Sequence, residues 1–162
     1  MPRVYLSLGS NIEREKHIRG ALHELEKRYG DLLVSTVYES EAVGFEGDAF
    51  FNLVVGMDTD KTVATLAAEL RAIEEAHGRE RQGPKFSSRT LDIDILTYGN
   101  VCGEIDGVLL PRDEILKNAF VLRPLADIAG NDRHPETART YAEHWDAYDQ
   151  KKQKLWPIAF QV

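Results

Sequence analysis

The order in which apolar residues switch between a two-residue and a 3.6-residue period restricts this chain to few folds. Residues 3–8 alternate around Val4, Leu6 and Leu8, the pattern of a strand with one buried face. Gly9-Ser10-Asn11 breaks it, and the Ser10/Glu13 spacing of a capping box predicts a helix start. Ile18, Ala21, Leu22, Leu25 and Tyr29 then share one helical face, until Gly30 ends it. Residues 32–40, rich in β-branched side chains and carrying Tyr38, read as a second strand. Residues 41–49 read as a loop and 50–59 as a third strand. Thr59 or Asp60 caps a second helix with the stripe Val63, Leu66, Leu70 and Ile73, and 91–98 is a fourth strand. The order strand, helix, strand, strand, helix, strand predicts an α+β fold. It is a ferredoxin-like βαββαβ antiparallel sheet with both helices on one face. A hairpin is expected within 101–110, a short helix over 120–128 despite Pro124, and a polar helical extension over 135–154.

The 162 residues suit a single domain, able to bury roughly two-thirds of its unfolded surface. The formal net charge of −7 argues against a general nucleic-acid binder, whose affinity would rest on excess Lys and Arg. No apolar run approaches the ~20 residues of a membrane span, and the N-terminal one is short for a signal peptide. With Cys102 as the sole cysteine, nothing calls for an oxidising compartment, so the expected address is cytoplasmic and the expected state a monomer or weak homodimer.

The most informative segment is Arg89-Thr90-Leu91-Asp92-Ile93-Asp94-Ile95. Alternate residues of a strand share a face, so Leu91, Ile93 and Ile95 point into the core and Asp92 and Asp94 point out of it together. Two strand positions apart, their Cβ atoms lie about 6.6 Å from one another. At an effective dielectric of 20 the two charges repel by roughly 2.5 kcal/mol. Magnesium gives such a pair a purpose, because it takes one or two carboxylates and completes its shell with water and phosphate oxygens. A solvated strand face is the competing reading. Arg79, Arg81 and Lys85 of the long aperiodic loop 77–88, with Arg89 directly after it, crowd into eleven residues of this otherwise acidic chain. A cationic loop before a carboxylate pair is the composition a triphosphate site needs.

These residues resemble the hydroxymethyl-dihydropterin pyrophosphokinase family. The resemblance rests on Gly9-Ser10-Asn11, Tyr38, Val43-Gly44, Phe51-Asn52, Glu74, Gly78-Arg79-x-Arg81, the Arg89–Ile95 block, Leu110-Pro111 and Ala119-Phe120-Val121-Leu122, in order from about residue 3 to 130. It implies that Asp92 and Asp94 ligate two magnesium ions on ATP, with Arg79 and Arg89 joining them in catalysis. It also implies nucleotide contacts from Glu74, Arg81, Lys85, Phe86, Arg89, Ile95 and Arg112, and a 77–88 loop that closes over the site. On the pterin side it implies Val43, Gly44, Phe50, Asn52 and Phe120, with Asn52 on the ring edge and the two aromatics on its faces. Four features depart from the family pattern: Ser87-Ser88 precede Arg89 where Gly-Pro is usual, the loop after Gly44 is about one residue short, Arg112 stands where a His is expected and Asn118 where an Arg is expected. The last two fall on the nucleotide side. The alternatives are a diverged paralogue that binds another pterin or binds without turnover, and a ferredoxin-like module that binds nucleic acid or another ligand.

Overall fold

The computed structural model describes residues 1–41, 48–78 and 90–160. Strand β1 (Arg3–Ser10) is followed by α1 (Arg14–Tyr29), β2 (Leu33–Val34), β3 (Val37–Ser40), β4 (Phe50–Asp58), α2 (Val63–Ala76) and β5 (Asp92–Tyr98). Strands β1, β3, β4 and β5 are antiparallel neighbours in the order β5-β1-β4-β3, the ferredoxin-like arrangement expected from the periodicities. Every apolar residue of the two helical stripes except Tyr29 is buried: Ile18, Ala21, Leu22 and Leu25 of α1, and Val63, Leu66, Leu70 and Ile73 of α2. They pack on one sheet face, against Val4, Leu6 and Leu8 of β1, Leu53 and Val55 of β4, and Ile93 and Ile95 of β5.

The other face is covered as well. After the hairpin β6 (Gly103–Ile105) and β7 (Val108–Leu110) come α3 (Glu114–Lys117), α4 (Ala119–Ala129) and α5 (Tyr141–Ala147). Ile115, Val121, Leu122, Leu125 and Tyr141 from these helices form a second core with Tyr5, Val54 and Leu96 of the sheet. The hairpin turns at Asp106 and Gly107, both at positive φ (52° and 81°), the turn whose twist matches paired strands. Helices pack on both faces, so among the described residues the sheet is not the broad open stacking surface that an RNA-recognition reading needs.

Four local expectations change. The α1 start does not use a capping box: Ser10 Oγ donates to the Ile12 carbonyl, and Glu13, at φ 44°, precedes the first turn with no side-chain cap. The cap of α2 is Thr62, whose Oγ1 accepts the Thr65 N–H, rather than Thr59 or Asp60. The second strand is broken into β2 and β3, because Ser35 Oγ accepts the Val54 N–H and the register slips by one residue between Val34↔Val55 and Tyr38↔Asn52. The tail is helical only over Tyr141–Ala147, where Thr140 and Glu143 complete a capping box. Before it, Ala138 at φ 61° and a bridge between Arg133 and Thr140 close a loop. Beyond it, β8 (Leu155–Ile158) adds an edge strand beside β3. Pro157 reads against a strand, but an edge strand tolerates proline because one of its sides needs no donor.

A paired histidine joins the two helices of the first layer. His17 Nδ1 lies 2.7 Å from His77 Nδ1, so the pair shares one proton, and Gly20 makes room for the His77 ring. Burial lowers the proton affinity of both, and of His134, whose Nδ1 accepts the N–H groups of Glu136 and Thr137. The folded state therefore favours the neutral rings, and the unfolded chain takes up protons first as pH falls below the ordinary value of 6.5. Stability is expected to be full above about pH 6.5 and to decline as pH drops through the lowered folded values. Each 1 kcal/mol lost should lower the melting temperature by about 3 °C. Thermal melts at pH 7.5, 6.5 and 5.5 check this, and a midpoint that rises toward pH 5.5 contradicts it.

Candidate active site

The site grows from the C-terminal end of β1. Across the sheet the register aligns Tyr38 with Asn52, Asn52 with Gly9, and Gly9 with Asp92. All four belong to the face that carries Val54, Tyr5 and α4. Gly9 contributes no side chain to the middle of this row, and a Cβ there would meet Asn52 Oδ1 at 3.2 Å and the Phe50 ring at 3.7 Å. A low floor is thereby left between Asn52 on one side and Asp92 two strands away, a span of about 10 Å at ordinary strand spacing. Asn52 is 7% exposed and its Nδ2 donates to Ser40 Oγ at 2.7 Å, which fixes the amide and turns Oδ1 toward Gly9. Asn11, buried at the end of the Gly9-Ser10-Asn11 turn, donates from Nδ2 to the Asp48 carbonyl and so ties the approach to β4, and with it Phe50, to the same corner.

On β5 the alternation holds as expected: Ile93 and Ile95 are buried in the first core, while Asp92 and Asp94 emerge on the opposite face. Burial first, and then the neighbouring Asp92 carboxylate, hold the Asp94 carboxyl well above the usual carboxylate range, with the Arg112 guanidinium opposing. The Asp94 side chain is 23% exposed, so it is recessed rather than sealed. A carboxylate pair with this raised demand for positive charge suits a hard divalent cation. Among the described residues no group of three or more His, Cys, Asp and Glu is arranged to hold a metal ion. Two carboxylates are what magnesium takes from a protein when phosphates supply the rest.

A bulge brings Arg112 to this pair. Between Tyr5 and Leu6 the β1–β5 register shifts, leaving Leu96 as the extra residue. The Leu96 carbonyl accepts the Arg112 N–H at 2.8 Å. The Arg112 side chain then reaches Asp94 Oδ1 at 3.5 Å and Glu114 Oε1 at 3.2 Å. Glu74, at the end of α2, is buried and accepts the Ile93 N–H at 2.8 Å through Oε2. It thus supports the strand between the two aspartates from beneath. Glu74→Ala is expected to lower stability by about 1–3 kcal/mol, the cost of leaving a buried N–H unpaired. Urea unfolding measures this, and an unchanged midpoint would refute the supporting role.

Of the residues singled out from sequence, Phe50, Asn52, Asp92, Asp94 and Arg112 gather on one sheet face or at its rim. Phe120, on the first turn of α4, packs against the second core of that face. The Ile95 side chain lies in the opposite core, so only its backbone is available to a ligand. Val43, Gly44, Arg79, Arg81, Lys85, Phe86 and Arg89, and the expected closure of loop 77–88, lie outside the described residues apart from His77 and Gly78. Sequence reasoning missed the network on Tyr38. Its hydroxyl donates to Asp127 Oδ2 at 2.6 Å and accepts from Arg123 Nε at 3.0 Å. The four-residue spacing of Arg123 and Asp127 on α4 is the only signal that could have suggested it.

The profile of 7,8-dihydro-6-hydroxymethylpterin-pyrophosphokinase (HPPK) matches residues 5–130. The chain belongs to this family. Among HPPK relatives, the 2-amino-4-hydroxy-6-hydroxymethyldihydropteridine pyrophosphokinase of Pseudomonas aeruginosa is 37% identical over 138 residues, covering 83% of this chain and 85% of that protein. The Bacillus subtilis protein of the same name is 33% identical over 157 residues, covering 94% and 89%. The folic acid synthesis protein fol1 of Pneumocystis carinii is 35% identical over 149 residues, 88% of this chain but 20% of its own length, so the chain spans about a fifth of that relative. Among solved structures, wild-type Plasmodium falciparum HPPK-DHPS with pteroate superposes with a TM-score of 0.72 at 15% identity, covering 93% of this chain and 45% of that one. That likeness bears on the fold. At 33% to 37% identity to these two bacterial relatives, the chain is a diverged member of HPPK.

Proposed function

We propose that this HPPK transfers a pyrophosphoryl group from ATP to the hydroxymethyl oxygen of 6-hydroxymethyl-7,8-dihydropterin, releasing AMP. The observation that carries the reading is the row Asn52–Gly9–Asp92. It joins a fixed amide to a carboxylate pair across a floor without a side chain. A flat pterin can lie on that floor with its ring edge on Asn52, its faces toward Phe50 and Phe120, and its hydroxymethyl arm directed at Asp92. The oxygen of that arm attacks the β-phosphorus, the bond from β-phosphorus to the α–β bridging oxygen breaks, and AMP leaves with the electron pair. Asp92 orients the hydroxyl, and little more is asked of it, since positioning and charge dominate phosphoryl transfer. Arg112, held between Asp94 and Glu114, offers a guanidinium to the phosphates. Asp92 and Asp94 are the residues that would hold magnesium, two ions in this reading, which when bound neutralises phosphate charge. Val43 and Gly44 would add backbone contacts to the pterin. Arg79, Arg81, Lys85, Phe86 and Arg89 would complete the triphosphate side, with Glu74 supporting β5.

No helix among the described residues is long and apolar enough to cross a membrane, and a cytoplasmic monomer or weak homodimer fits this reading. The test is AMP release from ATP and magnesium, with and without hydroxymethyl-dihydropterin. Pterin-dependent AMP is expected. Pterin binding without AMP would instead identify a paralogue that has lost turnover, and absence of both would overturn the reading.

A further inference from the structure

Helix α4 begins unusually. Asn118 is its N-cap, yet the Asn118 side chain does not accept a helix N–H, which is what an N-cap asparagine ordinarily does. Gln153, from the segment after α5, takes over. Its Oε1 accepts the Ala119 N–H at 2.8 Å and its Nε2 donates to Asn118 Oδ1 at 3.0 Å. In the same stretch the Tyr148 hydroxyl donates to the Lys117 carbonyl at 2.7 Å. Three consecutive residues leading into α4 are therefore held by side chains more than thirty positions away. Downstream, β8 joins β3, and Trp156 Nε1 donates to Glu39 Oε1 at 3.0 Å. Glu39 lies between Tyr38 and Ser40, and Ser40 holds Asn52.

We propose that Gln153 is a positioning residue for the pterin side of the site. Its amide clasp sets the first turn of α4 and with it the ring of Phe120, the residue directly after Ala119. The first helix N–H groups have no intrahelical partner, so a helix start is the part of a helix most prone to fray. A clasp on the first of them holds the turn that carries Phe120. The carboxylate pair sits on β5 and its Arg112 is anchored to the Leu96 carbonyl, so the clasp acts more on the Phe120 side than on the carboxylate side, although Asn118 itself stands at a position that the family resemblance puts near the nucleotide. This inference rests on reading Phe120 as a wall of the pterin site.

The test compares wild type, Gln153→Ala and Gln153→Glu. Hydroxymethyl-dihydropterin binding is followed by fluorescence, a non-hydrolysable ATP analogue with magnesium by calorimetry, and Ala119 amide exchange by NMR. Gln153→Ala is expected to speed Ala119 exchange and to raise the pterin Kd about three- to tenfold, the range for one lost neutral hydrogen bond, with nucleotide affinity changed clearly less. Gln153→Glu keeps the acceptor for Ala119, and its second oxygen accepts from Asn118 Nδ2 once that amide flips, so it should recover most of the pterin affinity. Equal weakening of both ligands, or unchanged pterin affinity with faster Ala119 exchange, would overturn the role of Gln153. So would unchanged exchange, since the clasp would then hold nothing. A wild type that binds no pterin would instead overturn the assignment of Phe120 and the function with it.

Discussion

Asp92→Ala and Asp94→Ala are each expected to lower pterin-dependent AMP formation by roughly a thousandfold or more, the upper range for removing one preorganised charge-stabilising group. Both side chains leave the face of β5 that packs on α1 and α2, so neither change opens a cavity in that core. Stability should hold, and at position 94 it should rise. Burial and Asp92 keep the Asp94 carboxyl above its ordinary range, which means that the fold disfavours its ionised form. An acid of that kind opposes folding once pH exceeds its unfolded value of about 3.9. Asp94→Asn should therefore give a melting temperature at pH 7.5 equal to or above that of the parent, while turnover is lost. Turnover close to that of the parent in either alanine variant at saturating magnesium would refute the assignment. A large drop in the Asp94→Asn melting temperature would show that the Arg112 contact stabilises the pair more than burial penalises it.

Gly9→Ala should separate the two substrates. The added Cβ would stand 3.2 Å from Asn52 Oδ1, tighter than nine in ten real Cβ contacts, and the hydrogen bond from Asn52 Nδ2 to Ser40 resists a shift of that side chain. The methyl group would intrude on the floor between Asn52 and Asp92. With the ring edge displaced from a buried amide, the pterin Kd should rise by roughly ten- to a hundredfold, the equivalent of about 1–3 kcal/mol. Gly9 belongs to a strand and its conformation is open to alanine, so the fold should tolerate the change. ATP-analogue binding should change less than threefold. Titration of each ligand separately decides the matter, and equal losses for both would show that Gly9 supports the sheet rather than the pterin.

The fold was largely legible because its signals are local. Burying Ile18, Ala21, Leu22 and Leu25 on one helix face, or Ile93 and Ile95 on one strand face, requires a periodicity that shows in the chain itself. The opposed direction of Asp92 and Asp94 follows from the same alternation. The tail was misread for the converse reason. Polar residues over 135–154 suit a helix or a loop equally, and β8 gains its stability from pairing with β3 rather than from its own pattern. Cap assignments failed where several suitable residues stood together, as at Thr59, Asp60 and Thr62.

Sequence alone therefore determined the order of the main strands and helices as far as β5, the carboxylate pair on the outer face of its strand, and a family resemblance that the family match bears out. The tertiary structure decided who stands beside whom. Asn52, Gly9 and Asp92 form one row only because the strand registers align positions more than forty and eighty residues apart. Arg112 meets Asp94 only because a bulge frees the Leu96 carbonyl to anchor it. Gln153 reaches the start of α4 because the tail folds back between the Tyr148–Lys117 contact and the pairing of β8 with β3. Periodicity records which face a residue takes. Its neighbours on that face are set by register and packing, and these belong to the folded chain as a whole.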